Sequence, residues 1–208
     1  MKLTENQKIV ATYIKDRKWI ELKTLHKGAK IDLDFTLESG ETPLTYCIKH
    51  GAGTGARFLL EFGADVNLKD SKGVYPLLQA SGTSTFIMHD IINAKPNYKV
   101  TDNGKNNVLL SAISANYVAI AIQLLDANTG IDINAKNKRG YDAMYMALVL
   151  EQKDTVKKLL TLNANIPKNY EEIITTNNGK SKTVDNIIKQ IKTYLGKKKV
   201  GKFADLLR

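Results

Sequence analysis

Residues 40–67 read GETPLTYCIKHGAGTGARFLLEFGADVN, and the order of signals in this stretch decides the fold. Thr42 stands directly before Pro43. A threonine there can accept a hydrogen bond from the free N–H groups of a first helical turn. A proline at the first helical position loses nothing, because its missing N–H would be unpaired anyway. A second apolar run, Phe58, Leu59 and Leu60, precedes Gly63, a residue suited to the left-handed stop after a helix. The stretch therefore predicts two short helical runs with start and stop signals, a brick that builds shape.

The brick recurs. Aligned on Pro43, the next start of this kind is GVYPLLQA with Pro76, 33 residues on. That period, with a TPL-type opening and a GADVN-type ending, resembles the ankyrin repeat, most closely from Gly40 to Asn67. A later unit opens near Gly104 in GKNNVLLSAI and ends in TGIDIN at 129–134; another opens at Gly140 in GYDAMYMAL and ends in NANI at 163–166. Upstream, GAKIDL at 28–33 closes a unit whose helices lie in 5–27. The resemblance implies an all-α repeat solenoid of about five units over residues 1–167. The first unit lacks the usual opening, the third ends in KPNYKV, and the fourth has two extra residues before Gly130.

Asn107 and Asp142 occupy the Thr42 place and are strong caps, whereas Tyr75 is not, so the third unit should start more weakly. Thr4 and Gln7 have capping-box spacing. Ile120, Ile122, Leu124 and Leu125 carry the apolar stripe in unit four, and Val156, Leu159 and Leu160 in unit five. Gly63 and Gly130, with Asn163 in unit five, are expected to end second helices. Gly40, Gly73, Gly104 and Gly140 are expected at positive φ in the hairpins.

Residues 168–208 break the period and form a basic helical cap in this reading. Turn residues cluster at Asn177, Asn178 and Gly179. Thr183 is expected to cap a helix carrying Val184, Ile187, Ile188, Ile191 and Leu195, which Gly196 stops, and a short last piece has Val200, Phe203, Leu206 and Leu207 on one face. The net charge is +10, and this segment holds 10 basic against 4 acidic residues. Lys189, Lys192, Lys197, Lys198, Lys199 and Lys202 form either a solvated face or a landing site for an acidic protein, a nucleic acid or a membrane surface. Lysine predominates, with only 4 arginines among 31 basic residues, where nucleic-acid readers favour the planar arginine fork. No aromatic interleaves with the lysines as a single-strand binder would want.

Chemistry is sparse. The single cysteine, Cys47, excludes an intramolecular disulfide and falls where a small core residue is wanted. His26, His50 and His89 lie in three units with no partner at metal-ligand spacing, and Ser111 has no histidine near it in the repeat geometry. GAGTG at 51–55 follows no strand and lacks the lysine of a phosphate loop, which leaves a loose turn between paired helices. Glu171 and Glu172 are adjacent, not a spaced acid–base pair. No cofactor, no metal and no enzymatic activity are expected. The opening MKLTENQKIV has no long apolar run, and no stretch nears the roughly 20 residues of a membrane span, so a soluble, cytoplasmic protein is expected, monomeric when free.

What the resemblance implies is a protein-interaction scaffold, binding through hairpin tips and the exposed side of the first helices. Carried over by position, the candidates are Glu38, Ser39, Glu41, Lys49 and His50 in unit two; Ser71, Lys72 and Val74 in unit three; Asn103, Lys105 and Asn106 in unit four; and Lys138, Arg139, Tyr141, Val149 and Leu150 in unit five. Unit five is favoured because Arg and Tyr are enriched in interface hot spots; Val149 and Leu150 are either apolar contacts there or packed beneath the C-terminal segment. Glu38 and Glu41 towards one end, Lys138 and Arg139 towards the other, could orient a partner. An effector that captures a host protein and an immunity protein that neutralises a toxin both fit this role. The alternative is binding of nucleic acid or another anionic surface through the lysine-rich segment.

Overall fold

The computed structural model of the chain describes residues 3–29, 31–178 and 181–205, with side chains described except at 177, 178 and 199–205. Its contacts divide it into two compact units, Met1–Asn103 and Gly104–Arg208. Among the described residues there are helices and turns but no strand.

The first unit holds three helix pairs: α1 (Glu5–Lys15) with α2 (Trp19–Ala29), α3 (Pro43–Lys49) with α4 (Gly53–Glu61), and α5 (Pro76–Ala80) with α6 (Thr85–Asn93). First helices pack on first helices and second on second, α3 touching α1 and α5, α4 touching α2 and α6. Each start has the local cause expected. Thr4 and Gln7 form a capping box. Thr42 accepts from Thr45 N–H and Thr45 returns the bond, with Pro43 next in line. Tyr75 offers no side-chain bond, and α5 is two residues shorter than α3. The apolar residues meet between the layers: Ile48, Leu59, Leu77, Met88 and Ile91 are fully buried. Cys47 is sealed among them, and burial pushes its thiol up to about 12.

The GAGTG stretch is more ordered than a loose turn. Gly53 opens α4, and Gly55 lies beneath the indole of Trp19, where a Cβ would stand 2.4 Å from the ring. The missing side chain is what lets α2 dock on α4.

The second unit repeats the plan with α7 (Val108–Ser114) and α8 (Val118–Asp126), α9 (Ala143–Val149) and α10 (Lys153–Thr161), and α11 (Tyr170–Asn178) and α12 (Lys182–Asp205). Asn107 and Asp142 cap α7 and α9 by accepting from Leu110 and Tyr145 N–H. The C-terminal segment differs from the expectation in three ways. Residues 170–178 are helical, and α11 packs on α9 through buried Ile173 and Ile174. Ser181, not Thr183, caps the next helix, accepting from Val184 N–H at 3.1 Å. Gly196 does not stop it. The helix runs on to Asp205, because one glycine costs only about 1 kcal/mol against alanine and helix formers flank it. Val184, Ile187 and Ile191 are buried, and α12 packs on both α10 and α11. The segment is thus a further helix pair laid on the previous one. Leu206, Leu207 and Gly179, and the side chains of Val200 and Phe203, lie outside the described residues.

Two glycine roles also move by a residue or two. Lys105, not Gly104, takes the positive φ (59°) in its hairpin. Asn128 (φ 46°) follows the end of α8, and Gly130 (φ 72°) falls in the longer loop beyond it.

The repeat ending has its own chemistry. In D-x-N the first side chain accepts from the N–H two residues on: Asp65 from Asn67 at 2.8 Å, Asp132 from Asn134 at 2.9 Å. The third, Asn in the later units and Asp34 in the first, reaches forward to the next repeat. Asp34 accepts from Asp65 N–H at 2.8 Å, Asn67 from Asn97 N–H at 2.7 Å and Asn134 from Asn165 N–H at 2.8 Å. Hairpin tips are tied likewise, Ser71 N–H to Gly40 O at 2.9 Å and Lys138 N–H to Gly104 O at 2.8 Å. These bonds satisfy loop backbone that neither helices nor sheet would pair.

Candidate protein interface

In the first unit the hairpin before α3 bends at Gly40 (φ 91°), with Leu37 N–H donating to Glu41 O at 2.8 Å. Glu38 and Ser39 are exposed at its tip. Glu41 is not: its carboxylate is buried and takes a hydrogen bond from the Lys49 ammonium, which holds it down to about 2. It serves as an internal brace between hairpin and helix. Lys49 itself remains exposed beside His50, whose ring lies 4.2 Å from that of Tyr46 and whose carbonyl accepts from Arg17. In the next hairpin Asp70 accepts from Lys72 and Val74 N–H, leaving the side chains of Ser71 and Lys72 in solvent and Val74 half-buried. Asn103, the last residue of this unit, is exposed.

The second unit gathers more. Asn137 accepts from Arg139 and Tyr141 N–H at 2.9 and 3.1 Å, and Gly140 (φ 80°) completes the turn. This lifts Lys138 and Arg139 into solvent. Asn137 also donates to the Asn106 side chain at 2.9 Å, binding this hairpin to the preceding one, where Lys105 is exposed. Between them lies an open hollow of about 510 Å³, lined by Asn106, Lys138, Arg139, Tyr141, Ser114 and Met146, among others. Tyr141 stacks on Tyr145 with centroids 4.3 Å apart and planes 11° from parallel. Burial raises the Tyr145 phenol, with Tyr141 beside it adding to the effect. Both rings are half-exposed, so the stack stands ready-made for contact. Val149 is half-buried on α9, the helix that α11 covers, while Leu150 is 38% exposed.

Sequence reasoning thus singled out Lys138, Arg139 and Tyr141, which the fold does bring together. It missed Tyr145, Met146, Ser114 and Asn137. The Tyr-x-x-x-Tyr spacing across the Asp142 cap was the available signal for Tyr145.

Of the lysine cluster, Lys192 pairs with Glu171 at 3.1 Å and Lys198 lies over the Tyr194 ring at 5.3 Å. Lys189 and Lys197 face α10 across a cleft. The side chains of Lys199 and Lys202 lie outside the described residues. Among the described residues no group of three or more His, Cys, Asp or Glu side chains could hold a metal ion, and no helix is long and apolar enough to cross a membrane.

Stacked helix pairs joined by capped turns and ladder-bonded hairpins define an all-α repeat solenoid. Residues 39–71 match the sequence profile of the ankyrin repeat. The chain contains an ankyrin repeat and has the ankyrin-repeat fold. A solved ankyrin repeat domain from Acinetobacter baumannii AYE superimposes on 90% of this chain and 98% of its own, with a TM-score of 0.74 and 22% identity. No curated protein matches the chain by sequence. Ankyrin repeats are generally protein-interaction modules.

Proposed function

We propose that the protein is a non-enzymatic binding scaffold that captures or inhibits a partner protein through its hairpins and first helices, with the hollow of the second unit as the principal contact. The observation that carries this reading is the Tyr141–Tyr145 stack beside Arg139 and Lys138, held by the Asn106–Asn137 bond. Rigid aromatics lose little freedom on binding and, with arginine, dominate interface energetics. Capture of a host protein and neutralisation of a co-produced toxin are both roles such a scaffold fills.

The experiment begins with a photo-crosslinking residue at Tyr141 in the native cell, followed by identification of the adduct. Calorimetry with the purified partner then compares variants. Arg139→Ala and Tyr141→Ala are each expected to weaken binding by more than about 1 kcal/mol. A partner bound equally well by both variants would overturn the assignment.

A further inference from the structure

A second surface stands apart from the hairpins. Helices α10 and α12 enclose an open cleft of about 500 Å³. Its rim carries Lys153 and Lys157 from α10 and Lys189 and Lys197 from α12. None of these four has an ion-pair partner among the described residues, whereas neighbouring Lys158 and Lys192 are paired, with Asp126 and Glu171. Among the described residues no carboxylate lines the cleft, and its floor is Leu160 and Tyr194. The Tyr194 hydroxyl donates to Asn163 at 2.7 Å, which fixes the ring in place. The Gln190 Oε1, in the same lining, is buried without a hydrogen-bond partner among the described residues.

We infer that this cleft binds an acidic peptide segment, one bearing regularly spaced carboxylates and an aliphatic side chain. The cations set the spacing. Lys153 and Lys157 lie about 6 Å apart along their helix, Lys189 and Lys197 about 12 Å. Carboxylates at alternate residues of an extended chain, or four apart on a helix, repeat at about 6–7 Å. The floor of Leu160 and Tyr194 accepts the aliphatic group. A nucleic acid fits less well: among the described residues the rim has ammonium point charges and no arginine fork, and Lys198 already covers the Tyr194 ring that bases could stack on. The site shares no residue with the hollow around Arg139 and does not depend on that reading.

The test is fluorescence anisotropy on the full chain with a short labelled peptide repeating Glu-Glu-Leu. Its Gln-Gln-Leu counterpart, a poly-dT oligonucleotide and phosphatidylserine-containing vesicles serve as comparison ligands. The acidic peptide is expected to bind and the Gln counterpart to fail. Lys157→Glu with Lys189→Glu should weaken binding by about tenfold or more. Lys27→Glu with Lys69→Glu, the same change in net charge in the first unit, should leave it within about twofold. Arg139→Ala should change nothing. Lys157→Gln with Lys189→Gln, checked for an unchanged melting temperature, separates lost binding from lost fold. Equal binding of the Gln peptide, equal loss in the matched-charge control, or stronger binding of the oligonucleotide or vesicle would each overturn the inference.

Discussion

Two glycines in α4 turn the packing of the first repeat into a measurable quantity. Gly53 and Gly55 lie two residues apart in the first turn of one helix, both without positive φ. Replacing either with alanine restricts the unfolded chain and favours helix by about 0.5–1 kcal/mol. They differ in what the new methyl meets. At Gly53 it finds the Ile87 side chain at 3.6 Å, an ordinary contact. At Gly55 it would stand 2.4, 2.6 and 2.9 Å from three carbons of the Trp19 ring. The indole must move off its seat, and overpacking of this kind costs about 1–3 kcal/mol. Gly53→Ala should therefore stabilise by about 0.5 kcal/mol and Gly55→Ala destabilise by about 1–2 kcal/mol, read by urea denaturation. Replacing Trp19 with leucine should remove most of the Gly55→Ala penalty, a coupling of about 1 kcal/mol in a double-mutant cycle. If Gly55→Ala were as stable as Gly53→Ala, Trp19 would not be seated there, and the docking of α2 on α4 described above would be wrong.

Other consequences follow from the same geometry. Asn134→Ala removes the side chain that accepts from Asn165 N–H and should cost about 0.5–1 kcal/mol, since water replaces part of the bond. Asp142→Ala, which strips the buried cap of α9, should cost about 1–2 kcal/mol; both are checked by thermal melts. Glu41 gives a pH signature. Lys49 holds its carboxyl at about 2, below the ordinary 4.5, so the folded state favours the ionised form. Its stabilisation is fully present above pH 4.5 and is lost as pH falls towards 2. Wild type should exceed Glu41→Gln in stability at pH 7, and the gap should close across that window in denaturation curves.

The parts legible in the sequence were those set by local chemistry. Thr42, Pro43, Asn107 and Asp142 act on the turn that follows them, and each caps as its type requires. Asn163 takes the left-handed position for the same reason (φ 58°). What local signals could not give was anything decided by a neighbour. Tyr170–Asn178 offers only two buried apolar residues before Asn177, Asn178 and Gly179, so it reads as a turn, yet the surface of α9 makes it a helix. A Cβ at Gly196 would meet nothing within 4 Å among the described residues, so no close approach there requires the helix to end. Glu41 reads as a surface charge because its partner, Lys49, lies eight residues on, at the far end of α3. The hollow draws on Asn106, Ser114, Tyr141 and Met146, four places that only the stacking of two repeats brings to one surface.

The central claim is that binding falls on the hairpin and first-helix surface of the second unit. Hydrogen–deuterium exchange of the free chain and of its complex tests it most directly. Residues 104–106 and 137–146 should gain protection on binding. A complex that formed with no added protection across 137–146 would contradict the account.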